Sequence, residues 1–596
     1  MFRTGRLSWT GGSLVLCLFA VSMVLIEPAA ASSGIPGLIA FLNGVEPKGG
    51  RSTLTGKMTS FSSWQTMVAK TLGMIASVPS GLCIGPEGPI IHVSALMAHW
   101  TCIGVQQLEQ LLFPEHRFAA YSSEARDFMA TGAACGICTA FRAPLAGVMF
   151  VVEEAATFFT TQHLEYTFLA SLVAYWVTWV FIAADEGSST VKFKQTSGDF
   201  CTYHDVLDYV FFVLVGVLGG VLGAIFNQAV EHLNHLRVHH INKSSVKRVL
   251  EVVLICLLTG TACVILPAAF ACKQEVRKIV MEDSAGCLND ADRFQISQGS
   301  ISHPYFASLL KTAQAGNCSI EAVTSSSSAL SSSSSASSAG ARRMLLAASS
   351  SASTSSSAST SSSSSSSSSG SAAPPDINAI LAELEKYRTS EKYNPQGNGE
   401  HDVVWVDNLS PYIHLHYSHT YTCNTDNHEY NQMAMLWLNG GVKAVKVLLQ
   451  RGFPYMLSAE CLLVFCITYF FLAVITAGIS VPAGLVVPML LIGGSYGRLV
   501  GLGALSAKKG MCTDYATMDS DLAFQNTYYW STITRWMVRT CRMPDPGTFA
   551  IIGAASFLGG SGRITVMLAT VLLELTDDVS CDFVQPCLAG RKFSSV

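Results

Sequence analysis

Glycine and proline mark three breaks in otherwise apolar sequence: Ser33-Gly34-Ile35-Pro36, Gly85-Pro86-Glu87-Gly88-Pro89 and Gly484-Leu485-Val486-Val487-Pro488. A helix that starts at such a break leaves its first N–H groups without intrahelical acceptors. Together with the positive end of the helix dipole, those groups attract anions. The candidate anion-binding residues are therefore Ser33, Gly34, Ile35, Pro36, Gly85, Gly88, Gly484, Leu485, Val486 and Val487. Ser33 adds a hydroxyl donor, although serine at such a place serves equally as an ordinary N-cap. No basic side chain is required, which suits an anion that must leave again, since conduction needs weak binding.

Carboxylates supply the second kind of chemistry. Glu87 stands between two Gly-Pro corners at membrane depth, where a charge is expensive unless it has a use. Deprotonated, it would occupy the anion site itself; protonated, it would lose that attraction and move aside, linking anion passage to a proton. Glu153 and Glu154 follow the apolar run from Val148 to Val152. The plainer reading of that pair is a helix end reaching to the interface. An internal repeat separates the two: the line from Gly132 through Arg142 to Glu153 resembles the line from Gly553 through Arg563 to Glu574 at a constant offset of 421. Glu153 thus has a counterpart in Glu574, whereas Glu154 faces Leu575, so Glu154 is not demanded by the repeated scaffold and is the better proton-relay candidate.

The elements that must position these residues are membrane helices. Of 596 residues only 13% are charged, against a usual ~25%, while 49% are hydrophobic and the mean hydropathy is +0.37. Lys and Arg number 37 and Asp and Glu 41, a net charge of −4 that offers no basic excess to hold nucleic acid. Apolar stretches able to cross or enter a bilayer run from Ser13 to Ile26, Ile90 to Phe113, Phe128 to Val152, Leu164 to Ala184, Val206 to Val230 and Val249 to Ala271. Others run from Leu457 to Ile479, Leu485 to Leu505 and Phe549 to Leu575, and the piece from Met67 to Ile84 fits a re-entrant half-helix. Gly216, Gly219, Gly220 and Gly223 give overlapping Gly-x-x-x-Gly spacings that permit close helix packing. A second matched pair, Pro79 to Leu82 against Pro482 to Leu485 at an offset of 403, joins the first in pointing to two repeated halves with a site between them at broken helices.

Arg3, Arg6, the apolar core from Ser13 to Ile26 and Ala29-Ala30-Ala31 imitate a secretory signal peptide, but the apolar sequence from Gly37 to Val45 that follows favours a retained helix. The basic stretch from Arg237 to Arg248, with His239, His240, Lys243 and Lys247, reads as a solvated cytoplasmic face. One further crossing places residues 272–429 on the luminal or exterior side. Within that loop, residues 325–371 are almost pure Ser with Ala and Thr and are expected to be disordered. Cys272, Cys287, Cys318 and Cys423, with the acceptor triplets at Asn317 and Asn408, allow disulfides and glycans there. Cys135 and Cys138 have metal-ligand spacing but lack a second pair, so packing is the better reading and no metal is expected. His232, His235, His239 and His240 read as part of the solvated face. No Walker loop, nucleophile elbow or kinase signature is present, which leaves an ATP-driven pump or a membrane enzyme without its residues.

At these residues the chain resembles the CLC family of chloride channels and chloride/proton antiporters, especially its plant and organellar branches. The first break, leading to Leu42-Asn43-Gly44-Val45, looks like the family's first anion-site motif. Gly85 to Pro89 followed by His92 looks like its second, with Pro86 where Lys or Arg is usual. Gly478 to Gly501 looks like its third, with Val486 where Phe is usual. Ala140-Phe141-Arg142-Ala143-Pro144, Glu153-Glu154 and Gly553 to Thr576 extend the similarity over most of the chain outside the Ser-rich loop.

The resemblance implies an all-α integral-membrane fold with an inverted repeat and with broken and re-entrant helices. It implies that Glu87 is the gating glutamate, that Glu154 is the proton glutamate of exchangers, and that Ser33 favours chloride over nitrate. Chloride and protons are the expected cargo, membrane lipid the surroundings and a second copy of the chain the partner, with no cofactor. An organellar or plasma membrane is the expected location. Residues 1–271 would hold the first repeat and the start of the second, 272–429 the loop, 430–576 the remainder of the second repeat and 577–596 a divergent tail. After Thr576 the last two helices, the pore tyrosine that one of them carries and the cytosolic CBS pair of eukaryotic relatives are expected to be missing, as is the family's first helix, so either a C-terminally truncated sequence or a degenerate member is expected. Three functions remain open: an antiporter, a passive channel in which Glu154 is silent, and a non-transporting membrane subunit.

Overall fold

Apolar runs become helices whose ends fall where glycine and proline punctuate them. The structure, a computed structural model, describes residues 2–45, 47–52, 56, 58–112, 122–155, 160–185, 206–274, 277–282, 301–302, 321–323, 401–407, 423, 429–450, 456–518 and 544–576. Helices α1 (Phe2–Ile26), α2 (Ile35–Leu42), α3 (Trp64–Ser77), α4 (Glu87–Leu112), α5 (Ser122–Phe141) and α6 (Pro144–Phe150) lead into a π-helical turn (Val151–Ala155). Then come α7 (Thr161–Asp185), α8 (Val206–His240) and α9 (Ser245–Ala269). After the long loop follow α10 (Gln432–Trp437), α11 (Gly441–Leu449), α12 (Ala459–Thr476), α13 (Val486–Met518), α14 (Pro546–Gly562) and α15 (Val566–Thr576). Proline opens α2, α6 and α14, where a missing N–H costs no intrahelical bond.

Six helices among the described residues are long and apolar enough to cross a bilayer: Glu87–Glu109, Thr161–Phe181, Leu207–His240, Ser245–Ala269, Ala459–Thr476 and Val486–Lys508. The protein is a multi-pass membrane protein. Helix α1 packs on α3 and α9, with Cys17, Ala20 and Val21 buried in one cluster with Ala76, Val252 and Ile255.

Two of the apolar stretches, 128–152 and 549–575, are each divided between two helices. Arg142 ends α5 and Arg563 ends α14, both at φ 57, the left-handed conformation that terminates a helix. They lie 421 residues apart, so the repeat read in the sequence is repeated in the backbone. Gly85 N–H donates to the Gly484 carbonyl and Gly484 N–H to the Gly85 carbonyl, each at 2.8 Å, so the second and third breaks are bridged backbone to backbone.

Small sheets interrupt the all-helical expectation. β1 (Lys48–Arg51) pairs with β2 (Met58–Ser60) in a hairpin. In the loop, β3 (Lys273–Gln274) pairs with β8 (Glu429–Tyr430), while β4 (Arg277–Glu282), β5 (Ile301–Ser302), β6 (Glu321–Val323) and β7 (His401–Asp407) form a four-stranded sheet in the order β5-β7-β4-β6. Cys272 and Cys423 form a disulfide that ties the loop's two ends across 151 residues. Such a link is the chemistry of an oxidising compartment. Residues 325–371, Cys287, Cys318, Asn317, Asn408 and the tail 577–596 lie outside the described residues.

The glycines of α8 do what their spacing predicts. A Cβ at Gly219 would overlap Tyr496 Oη and Ser556 Oγ, and one at Gly223 would lie 2.9 Å from the carbonyl carbon of Gly560, so α8 and α14 touch backbone to backbone. The basic face is corrected in one residue. His239, His240, Lys243 and Lys247 are exposed, but Arg237 is buried. It bonds Glu251 at 2.6 Å and Asn234 Oδ1 at 3.0 Å, and it donates to the carbonyls of Ile475 and Ala477. One guanidinium thus caps the C-terminus of α12 immediately before the third break. Replacing Arg237 with Met is expected to cost ~3–5 kcal/mol, because the Glu251 charge and two carbonyls lose their partner. Thermal unfolding of the purified chain reads this, and an unchanged midpoint would contradict it.

Candidate functional site

The three breaks meet. Helices α2, α4 and α13 all start there, and the Gly85–Gly484 bridge holds the last two together. A Cβ on Gly88 would lie 2.6 Å from Ser33 Cβ and 3.4 Å from Gly484 Cα. A Cβ on Gly484 would lie 2.7 Å from the Gly85 oxygen. Only residues without side chains let three backbones approach this closely. Ser32 N–H donates to the Val481 carbonyl at 3.0 Å, and Ser77 Oγ donates to the Pro482 carbonyl at 2.7 Å, which fastens α2 and α3 to the third break.

The predicted residues divide by exposure. Gly85, Gly88, Gly484 and Val487 are buried and build the junction, whereas Ser33, Gly34, Ile35, Leu485 and Val486 are half-buried at its surface and Pro36 is exposed. Ser33 Oγ accepts from Ile35 N–H at 3.4 Å, a long cap bond that leaves its hydroxyl hydrogen to aim elsewhere.

Glu87 is the first residue of α4 and is 4% exposed. Its carboxylate lies against the backbone of Gly85, where Val487 of α13 also packs, at the bridge that joins the starts of α4 and α13. Oε2 has no hydrogen-bond partner among the described residues and sits against Gly85, where a Cβ would overlap it. A side-chain carboxyl group therefore sits where α4 and α13 start.

Behind Gly34 stand two residues whose role sequence reasoning missed. Lys70 of α3 is fully buried, and its Nζ has no hydrogen-bond partner among the described residues. A Cβ at Gly34 (φ 85) would meet both Lys70 Nζ, at 2.6 Å, and His92 Nδ1. The His92 ring stacks on Phe61 with centroids 4.1 Å apart and planes at 12°. The signal was present: Lys70 is the one charged residue between Trp64 and Ile84.

Glu153 and Glu154 lie together on the π turn, a distortion frequent at functional sites. Glu153 does not reach to the interface. Its Oε1 accepts from Thr565 N–H at 2.8 Å, Thr565 Oγ1 at 2.9 Å and Val566 N–H at 3.1 Å, and its Oε2 from Met567 N–H at 2.8 Å. Glu574, its repeat counterpart, accepts from Leu145 N–H at 2.9 Å and Ala146 N–H at 3.0 Å. Glu154 is half-buried and belongs to a different element from the three breaks. Helix α2 packs against its turn, and Val151, Ile35 and Val486 share one apolar cluster. Cys138 Sγ donates to the Ser171 carbonyl at 3.1 Å and packs as a small residue beside Cys135.

Comparison with known proteins accords with this geometry. The sequence profile described as "Voltage gated chloride channel" matches residues 13–315 and 377–590. Chloride channel protein D of Dictyostelium discoideum is 32% identical over 565 residues, covering 93% of this chain and 45% of that protein. H(+)/Cl(-) exchange transporter 7 of Homo sapiens is 24% identical over 571 residues, covering 95% of this chain and 49% of that one. The crystal structure of a eukaryotic CLC transporter is 16% identical with a TM-score of 0.48, over 99% of this chain and 63% of that chain. The chain spans about half the length of the curated relatives it matches. With the family profile matching most of its residues, this chain belongs to the voltage-gated chloride channel (CLC) family.

Proposed function

We propose that this protein exchanges chloride for protons across its membrane. The observation that carries the reading is the Glu87 carboxylate seated against Gly85 at the bridge joining the starts of α4 and α13, with Ser33 against the adjacent Gly88. Chloride and carboxylate carry the same charge and are attracted by the same N–H groups, so they compete for one place. Protonating Glu87 removes its claim and lets chloride pass, and returning the proton shuts the path. Ser33, Gly34, Ile35, Leu485 and Val486 line the chloride position, while Pro36, Gly85, Gly88, Gly484 and Val487 hold its backbone. Glu154 receives the proton from the other side. The serine at position 33 favours chloride as the cargo, and a second copy of this chain is the expected partner.

A passive channel on the same fold is the second reading, favoured by the name of the Dictyostelium relative, a chloride channel. The test is proton movement into liposomes holding the purified chain under a chloride gradient. Uphill proton flux is expected, and Glu154→Gln is expected to reduce it to background while chloride still moves. Chloride flux without protons in the unaltered chain would make it a channel, and no flux of either ion would make it a non-transporting subunit.

A further inference from the structure

We infer that Glu153 and Glu574 form a reciprocal clasp between the two repeats that positions the π turn carrying Glu154. The inference rests on the proton-exchange reading only for what the turn is used for; the clasp itself stands on hydrogen bonds.

Helices α6 and α15 are repeat counterparts that pack on each other. At the offset of 421, Leu145 corresponds to Val566, Ala146 to Met567 and Glu153 to Glu574. Each glutamate leaves the C-terminal end of its own segment and accepts from the first N–H groups of the other helix. Neither bond is local in sequence; the partners are more than 400 residues apart. The start of α6 has no cap of its own, because Ala143 at its N-cap position makes no side-chain cap bond. The other repeat supplies the missing acceptor. A carboxylate on free helix N–H groups is a charge-assisted arrangement that also opposes the helix dipole, the strong form of a cap.

The consequence falls on Glu154. The segment 144–155 is held on α15 at both ends, by Glu574 at its start and by Glu153 at its finish. Glu153 has four donors on its two oxygens, so it is spent as an acceptor and is a positioning residue. Its neighbour, one position along the same π turn, takes its direction from that grip. Leu575 stands at the corresponding place in the second repeat, which carries a clasp and no relay.

Glu574→Gln tests this from the far repeat, because among the described residues that carboxylate accepts from the amides of Leu145 and Ala146. Glutamine keeps the size and one acceptor oxygen but turns an NH2 toward the second amide. The 596-residue chain would be measured by amide hydrogen exchange and by the proton-to-chloride ratio in liposomes. With the clasp, Glu574→Gln and Glu153→Gln each speed exchange about tenfold at both 145–146 and 565–567, the loss of one charge-assisted bond. Each also lowers the proton-to-chloride ratio while chloride still moves, and the double variant is no worse than either single one. Unchanged exchange in α12 and α13 shows that the fold is kept. If each variant loosens only the helix its own carboxylate caps, or if both leave the ratio at the level of the unaltered chain, the clasp is overturned. Should the unaltered chain move no protons, the exchange reading of function fails, and hydrogen exchange alone decides the clasp: loosening at both ends upholds it and loosening at one end overturns it.

Discussion

Replacing Glu87 with Ala should leave chloride moving while proton exchange ends. The carboxylate lies against Gly85 at the joined starts of α4 and α13, where the proposed exchange has it compete with chloride for the helix N–H groups. Alanine removes the competitor without removing the N–H groups, so the anion position is permanently open. It also removes the carboxyl group that would carry the proton there, so the two ions are expected to be uncoupled. With the coupling lost, proton flux is expected to fall to background while chloride flux persists. The sign with pH follows directly. In the unaltered protein chloride flux rises as pH falls, because protonation takes Glu87 out of the competition; in Glu87→Ala the dependence flattens. Glu87→Gln separates the two effects, since it copies the protonated side chain while still filling space. Flux assays in liposomes at several pH values read all three, and an alanine variant that stops chloride would mean that Glu87 holds the junction together rather than gating it.

What the sequence discloses and what it hides follow from how local each signal is. Helix starts at Gly34, Pro86 and Gly484 are legible because proline at the first turn and glycine at a close approach are chosen by the residues beside them. The internal repeat is legible because Arg142 and Arg563, Glu153 and Glu574 keep one offset. The division of two long apolar runs is hidden: a single left-handed arginine between two apolar helices leaves hydropathy unchanged on both sides. Arg237 is misread for another reason. A run of basic residues is ordinarily solvated, and nothing near residue 237 announces that the carbonyls of Ile475 and Ala477 lie against it. Glu153 reads as a helix end for the same reason, its partners being Thr565, Val566 and Met567. The charged residues are therefore where local reasoning fails, because a buried charge is compensated by whatever the fold brings to it, often from the other repeat.

Lys70 is the sharpest case, and it yields a result with two opposite signs. Lys70→Met is expected to stabilise the protein in chloride-free buffer and to abolish the stabilisation that chloride provides. Burying an ammonium costs several kcal/mol unless it is paired, and Lys70 Nζ has no hydrogen-bond partner among the described residues. Methionine fills nearly the same space without that penalty. The Lys70 amine stands against Gly34, at the start of α2, where the proposed anion position lies. At a separation of ~5 Å and an effective dielectric of about 20, an opposite charge there gains ~3 kcal/mol. Removing it lowers anion affinity on the order of a hundredfold. Chloride at 100 times its dissociation constant stabilises the folded protein by ~2.7 kcal/mol, so the unaltered chain should melt progressively higher as chloride is added, and Lys70→Met should melt high and flat over the same range. A variant that is less stable without chloride, yet still gains from it, would make Lys70 a packing residue of α3 and leave the helix termini to hold the anion by themselves.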